Sequence, residues 1–184
     1  MRIRVVAGKY GGRWLDSPPG KGTHPMSERM RNAIFNKIQS EVPEAIVLDA
    51  YAGTGAVGLE ALSRGAKHVD FIESDRMAQK IIKNNFERLG LSEDEVRLYR
   101  TRVKSFLGTA EPDSYDLIFV DPPYYEIMTH FSTVDRLVGL LKPGALMVLS
   151  KPGKCEENVV SKDIVVVDNR SYSNATLTYY RKKD

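Results

Sequence analysis

At 184 residues, with 42% hydrophobic and 28% charged side chains, the chain is long enough to bury a proper core and too apolar for a disordered or fibrous class. No apolar run reaches the roughly 18 residues of a membrane span, and the opening MRIRVVAGKYGG lacks the long apolar region and cleavage site of a signal peptide. Cys155, the only cysteine, excludes an intrachain disulfide and a cysteine-based zinc site and fits a reducing cytoplasm. The net charge of +3 is unevenly spread. Residues 1–40 set eight cations (Arg2, Arg4, Lys9, Arg13, Lys21, Arg29, Arg31, Lys37) against Asp16 and Glu28, a net +6, which leaves −3 on residues 41–184. A basic arm on a mildly acidic body suits a polyanionic partner, the plainer alternative being a solvated basic surface.

In chain order, Arg2–Lys9 and Arg13–Leu15 flank Gly11-Gly12 and predict a β-hairpin. A Pro/Gly-rich loop follows from Ser17 to Gly22. Ser27 is placed to cap a helix in which Met30, Ala33, Ile34 and Ile38 recur at helical spacing, with Arg29 and Arg31 on its other faces and expected to be exposed. After Pro43 an α/β alternation begins. Strand 46–50 runs through a glycine loop into a helix ending near Gly65. Strand Val69–Glu73 precedes a helix capped by Asp75 and stopped by Gly90. Val96–Tyr99 predicts a third strand and Ser105–Leu107 a short helix. Strand Tyr115–Val120 leads into Asp121-Pro122-Pro123-Tyr124. A helix over roughly 126–141 precedes a turn at Lys142-Pro143-Gly144 and strand Ala145–Ser150. Asp163–Asp168 and Ala175–Tyr180 form two strands joined by the polar turn Arg170–Asn174. Because a hairpin cannot join adjacent parallel strands, at least one of the last strands is antiparallel.

The stretch IVLDAYAGTGAVGLE (Ile46 to Glu60) is a strand, a glycine turn and a helix start, the grammar of an adenosine-cofactor site. Gly53, Gly55 and Gly58 fit G-x-G-x-x-G, and Glu73 lies 18 residues beyond Gly55, where an acid for ribose hydroxyls belongs. The pattern by itself leaves a nicotinamide enzyme and an S-adenosylmethionine enzyme both open. Asp49, just before the loop, tilts the choice: beside a pyrophosphate its charge repels, beside the ammonium of a methionine it attracts. The DPPY turn at 121–124 decides it. An exocyclic base amine is a poor nucleophile because its lone pair is delocalised into the ring. Asp121 and the carbonyl of Pro122 can accept its two N–H bonds and steer the lone pair toward a methyl, the two prolines stiffening the turn. Tyr124 can stack on a base removed from its helix. Alignment and electrostatics then carry the transfer without a strongly perturbed general base.

With these residues in view, the sequence resembles the RsmD-like family of bacterial RNA methyltransferases, which methylate the N2 amine of a guanine in 16S rRNA. The resemblance covers nearly the whole chain: the arm RIRVVAGKYGGRWL, the segment THPMSERMRNAIFN at 23–36, the loop DAYAGTGAVGLE, LSRGA at 62–66, FIE at 71–73 and DPPY at 121–124. It implies contacts to S-adenosylmethionine (product S-adenosylhomocysteine, no metal) from Asp49, Tyr51, Gly53, Thr54 and Gly55, with Glu73 on the ribose. It implies a catalytic Asp121-Pro122-Pro123-Tyr124 and an RNA-contacting side built from Arg2, Arg4, Lys9, Arg13, His24, Arg29 and Arg31. The implied fold is a class I methyltransferase, a Rossmann-like seven-stranded mixed sheet with helices on both faces and an antiparallel last strand. Residues 1–42 would form an N-terminal hairpin and helix extension on a methyltransferase domain at 43–184. A cytoplasmic monomer acting on the small ribosomal subunit or an assembly intermediate is the implied context.

Three departures from the family pattern stand out. His24 replaces an arginine in Thr23-His24-Pro25-Met26. Arg102, with Val103 and Lys104, stands where relatives place an acid near the adenine, so backbone at Arg102–Val103 would substitute. Ala50 is smaller than the usual residue. Outside the family, a DNA amino-methyltransferase (adenine-N6 or cytosine-N4) shares the cofactor loop and DPPY but needs a target-recognition domain for which 40 residues leave little room. A NAD-dependent oxidoreductase has no use for DPPY or a basic arm, and the intact acceptor residues argue against a non-catalytic RNA-binding relative.

Overall fold

The computed structural model describes residues 2–18, 26–123, 127–154, 158, 159, 161–172 and 174–184. Seven strands form one sheet: β3 (Ile46–Asp49), β4 (His68–Ile72), β5 (Val96–Tyr99), β6 (Tyr115–Val120), β7 (Leu141–Pro152), β8 (Ile164–Ser171) and β9 (Ala175–Lys182). Their order is β5-β4-β3-β6-β7-β9-β8, parallel from β5 to β7, with β9 antiparallel to both its neighbours. The hairpin of the last two strands inserts its second member beside β7, which satisfies the constraint that a short connection imposes. Chain order reverses between β3 and β6. In an open α/β sheet the crevice at the carboxyl ends of two such strands is where ligands bind.

Alternation along the strands divides the core in two. Val47, Phe71, Leu117, Phe119 and Val148 face one side, where α1 (Glu28–Lys37), α2 (Ala56–Ser63) and α3 (Arg76–Leu89) contribute Phe35, Leu59 and Ile82. Leu48, Ile118, Val120 and Met147 face the other, met by Val103 and Phe106 of α4 (Val103–Phe106) and by Val134 and Leu137 of α5 (Ile127–Val138). Helices therefore cover both faces. Helix boundaries follow local chemistry: Ser27 and Asp75 accept from Met30 and Ala78 as N-caps, and Gly90 stops α3 in the left-handed region. No described helix is long and apolar enough to cross a membrane.

The arm forms β1 (Arg2–Arg4) and β2 (Trp14–Asp16), paired antiparallel with Arg4 opposite Trp14. Gly11-Gly12 is no tight hairpin turn; residues 5–13 form a longer loop that docks on α2. The fully buried Glu60 carboxylate accepts the amides of Val6 and Ala7 at 2.7 and 3.0 Å, and the Ser63 hydroxyl accepts from Tyr10 at 2.9 Å. Ile3, Val5, Tyr10 and Leu15 join the same apolar cluster as Val47 and Phe71. Boundaries differ from the sequence reading: β8 runs through Arg170 to Ser171, so the expected polar turn begins after Ser171 rather than at Arg170. Helix α5 ends at Val138 rather than near 141, and Lys142-Pro143-Gly144 lies within β7 as an irregularity. Register there jumps from Tyr115↔Leu141 to Leu117↔Leu146, so the extra residues bulge out of the ladder.

Candidate active site

Strand ends carry the described candidate acids of the cofactor site to the carboxyl edge. Asp49 closes β3, Glu73 follows β4, Arg102 and Val103 follow β5, Asp121 follows β6, and Ser150 lies near the end of β7. Asp49, Glu73, Asp121 and Ser150 fall in phase with the side chains that face α1, α2 and α3, so alternation alone puts these carboxylates on one side of the sheet.

The cofactor loop is held from within. Gly53 and Gly55 have φ of 55° and 77°, a left-handed turn open to glycine at low cost, and Gly55 is the N-cap of α2. A Cβ on Gly53 would meet no atom within 4 Å, so open space lies on that side of the loop. Gly58 serves another purpose: a Cβ there would lie 2.3 Å from the Phe71 ring, so its absence lets α2 pack down on β4. Glu73 bridges the turn, its carboxylate accepting the Gly53 amide at 2.8 Å and the Asp75 amide at 2.7 Å. Thr54 is buried, Tyr51 is half-buried against the opposite core, and Ala50 is wholly buried with its amide donating to Phe119 O at 3.0 Å. The small residue at position 50 thus faces packed core.

Electrostatics single out Asp49. Its side chain is 3% exposed, and one carboxylate oxygen accepts the Gly58 amide at 3.0 Å. Burial pushes its pKa up to about 7, the Gly58 bond opposing and the charges of Asp121 and Glu73 adding to the rise. Asp121 is half-buried; burial raises its pKa as well, opposed by a hydrogen bond from the Ser150 hydroxyl. Carboxyls on one edge that act on one another through their charges, two of them short of solvent, favour a cation beside them. An open cradle beside a glycine turn and a buried carboxylate poised near neutrality fit the methionine end of S-adenosylmethionine better than a pyrophosphate.

The remaining sequence-derived residues divide. Pro122 is buried and Pro123 exposed, whereas Tyr124 and His24 lie outside the described residues, as does Cys155. Arg102 is exposed at the N-cap of α4, and its carbonyl accepts from Ser105 and Phe106, each at 3.0 Å, so that acceptor is engaged in the helix. Val103 is buried in the opposite core. Arg4, Lys9, Arg13 and Arg29 are exposed, and Arg2 opens β1. Arg4 is tied to Glu28 at 3.0 Å, while Lys9 and Arg13 both lie over the Tyr10 ring. Arg31 corrects the expectation of an exposed cation. It is 1% exposed, and its guanidinium donates to Met26 O at 2.7 Å and Arg4 O at 2.6 Å. Burial lowers its pKa, with Glu60 and Glu28 opposing. It braces the arm from inside, because its place on α1 next to Met30 faces the hairpin rather than solvent.

Sequence reasoning passed over Ser150, Glu60 and Asn85. The detectable signal was polarity at core spacing: Glu60 sits inside AVGLEALS, and Asn85 falls among Ile81, Ile82 and Leu89 on the buried stripe of α3.

The switch-point crevice, glycine turn and flanking acids define a class I S-adenosylmethionine-dependent methyltransferase fold. A family model described as conserved hypothetical protein 95 matches residues 3–181. Ribosomal RNA small subunit methyltransferase D of Haemophilus influenzae is 30% identical over 186 residues, 94% of each chain. The protein of that name from Escherichia coli K12 is 37% identical over 124 residues, 67% of this chain and 61% of its own. The solved structure of yhhF from Escherichia coli superposes with a TM-score of 0.87 at 28% identity, covering 100% of this chain and 99% of that one. The chain belongs to the RsmD-like methyltransferase family, which separates the methyl-donor reading from the nicotinamide reading that the glycine loop left open.

Proposed function

We propose that this protein transfers a methyl group from S-adenosylmethionine to the exocyclic N2 amine of one guanine in 16S rRNA, within the small ribosomal subunit or an assembly intermediate, as a cytoplasmic monomer. The observation that carries the reading is the carboxyl group of Asp121, at the start of a stiff proline turn, beside the Asp49 and Glu73 carboxylates of the cofactor edge.

S-adenosylmethionine supplies an electrophilic methyl carbon on a sulfonium. Asp49 would hold its cationic end, Glu73 its ribose, and Gly53, Thr54 and Gly55 the nucleoside, with Tyr51 and the backbone at Arg102–Val103 alongside. Asp121 and the Pro122 carbonyl would each accept one N–H of the guanine amine, turning the lone pair out of the ring plane. Methyl transfer to the amine nitrogen, balanced by release of S-adenosylhomocysteine, would leave one amine proton to be removed. Burial, which keeps the Asp121 carboxyl above its usual range, suits it to receive that proton; the Ser150 hydroxyl orients it. The substrate is drawn by the extension at 1–42, with the exposed Lys9, Arg13 and Arg29 meeting phosphates. Phosphate contacts position the RNA, and the amine pocket selects the base.

Labelled methyl transfer to undermethylated small subunits, stripped 16S rRNA and DNA in parallel, followed by mapping of the product, tests the reading. A methylated guanine N2 in the first or second supports it. Transfer to DNA alone would assign the protein to the DNA amino-methyltransferases.

A further inference from the structure

Asn85 joins two parts of the molecule that the proposed function uses separately. The residue lies on α3 and is 0% exposed. Its Oδ1 accepts the Asp16 amide at 2.7 Å, and its Nδ2 donates to Asp16 O at 3.1 Å and to Thr54 O at 3.2 Å. Asp16 is the last residue of β2 in the basic arm, and Thr54 is the centre of the cofactor turn, between Gly53 and Gly55. One carboxamide therefore clasps both polar groups of an arm residue and a carbonyl of the cofactor loop. Its orientation is settled by its neighbours: a flipped amide would turn NH2 toward the Asp16 N–H and oxygen toward two carbonyls.

Asn85 and Thr54 are buried, and Asp16 is half-buried. If β2 shifts away, the Asn85 amide loses both of its Asp16 bonds at a buried position, and keeping Thr54 in place becomes harder; if the loop relaxes, the same amide is freed from the other side. Other contacts reinforce the linkage on the same flank. Arg88, three residues further along α3, pairs with the Asp16 carboxylate at 3.0 Å. Glu60 and Ser63, which hold residues 6, 7 and 10 of the arm, lie on α2, the helix that starts at Gly55.

We propose that Asn85 is a positioning residue that couples the two binding events, so that RNA held on the arm tightens the cofactor and the cofactor in turn firms the arm. The coupling is reciprocal by thermodynamic necessity. The proposal rests on the reading of the arm as the RNA-contacting side, but its intramolecular half is testable without RNA.

The first measurement is hydrogen exchange at the Asp16 amide in the full chain, with and without saturating S-adenosylhomocysteine. Slowing by about 5-fold or more, in the range of ordinary allosteric couplings, is expected, and unchanged exchange on cofactor saturation would overturn the proposal. The second is calorimetry of S-adenosylhomocysteine with and without undermethylated small subunits, expected to show a tightening of similar size. RNA that binds yet leaves cofactor affinity unaltered would also overturn it. Asn85→Asp keeps the acceptor for the Asp16 amide and removes both donations; Asn85→Ser is the smaller neutral alternative where that variant fails to fold. Either is expected to lose the coupling in both measurements. Asp16→Asn, which removes the Arg88 ion pair and leaves the backbone bonds, is expected to keep it; loss there too would overturn the assignment to Asn85. If no RNA is bound or methylated, the proposed function falls, while the Asp16 exchange result still decides whether Asn85 links arm and loop.

Discussion

The Gly58 amide donates to the Asp49 carboxylate at 3.0 Å, a bond from the first turn of α2 back to the last residue of β3. It is the visible counterweight to burial, which holds Asp49 at a pKa of about 7. With Asp49 in its proposed role at the cationic end of the cofactor, the ionised carboxylate is the binding form, so affinity for S-adenosylmethionine is expected to climb from pH 6 to 8 and level off above, with proton release on binding below pH 7. Calorimetry in buffers of different ionisation heat checks both. The stability effect has the opposite sign. A carboxyl whose pKa is higher folded than unfolded binds more protons in the native state between about 4 and 7, so it costs the cofactor-free fold stability as pH rises through that window. Asn at this position should raise the thermal midpoint more at pH 8 than at pH 5 and flatten the pH dependence of cofactor affinity.

Glu73 holds two backbone amides of the edge, those of Gly53 and Asp75. Glu73→Ala leaves both without their acceptor and releases the turn. A loss of cofactor affinity of about 10-fold or more is expected, of the order of one or two hydrogen bonds to a charged group. Glu73→Gln keeps one acceptor oxygen and should fall between. Titration with S-adenosylhomocysteine reads both.

Asp121→Ala is expected to reduce methyl transfer by about 10²-fold or more, the scale of removing a preorganised polar group at a reacting centre, with S-adenosylhomocysteine affinity within a few-fold of wild type. Ser150→Ala should cost less and move the acidic limb of the pH–rate profile upward, because the hydroxyl bond opposes the rise of the Asp121 pKa. Single-turnover rates across pH separate the two effects. Comparable turnover by Asp121→Ala would remove that carboxylate from the reaction.

The basic residues of the extension separate by burial. Substituting Lys9, Arg13 and Arg29, all exposed, should weaken RNA binding and reduce its salt slope by about 0.7–0.9 per lost phosphate contact. Arg31→Ala should instead lower the melting temperature, since it strips the Arg4 and Met26 carbonyls of a buried donor. Trp14, the only tryptophan and 48% exposed next to Arg13, offers the reporter: its emission should change when RNA covers the arm.

A second pH effect sits at the other end of the sheet. His68 Nε2 lies 3.0 Å from the Asp70 carboxylate, which also accepts from the Tyr115 hydroxyl at 2.7 Å. The Asp70 bond raises the His68 pKa above its ordinary value. Such a group contributes its stability fully below the unfolded pKa of about 6.5 and loses it as pH rises through the folded value. Thermal melts of wild type and His68→Gln should therefore diverge at pH 6 and converge by pH 8.5.

Much of this architecture was legible in residues 46–182 because period-2 and period-3.6 patterns are local. The caps at Ser27, Asp75 and Gly90 were readable for the same reason: each acts within four residues of itself. The bulge at 142–145 was not, because register belongs to the pairing of β6 with β7 and neither strand encodes it alone. Arg31 was misplaced for a related reason. An arginine beside an apolar stripe is exposed unless another element covers it, and here β1 does, its Arg4 carbonyl meeting the guanidinium 27 residues away in sequence.

By itself, the sequence determined the strand–turn–helix around Gly53–Gly58, the acids at 49, 73 and 121, and the proline turn after β6, since these are short-range patterns with their own chemistry. Only the tertiary structure decided what those acids do to one another. The switch point between β3 and β6 brings them to one edge, burial lifts Asp49 toward neutrality, and Glu73 and Asn85 hold two adjacent residues of the glycine turn, Gly53 by its amide and Thr54 by its carbonyl. Desolvation and hydrogen bonding over 20 to 70 residues of separation are properties of the packed chain, and no local pattern carries them.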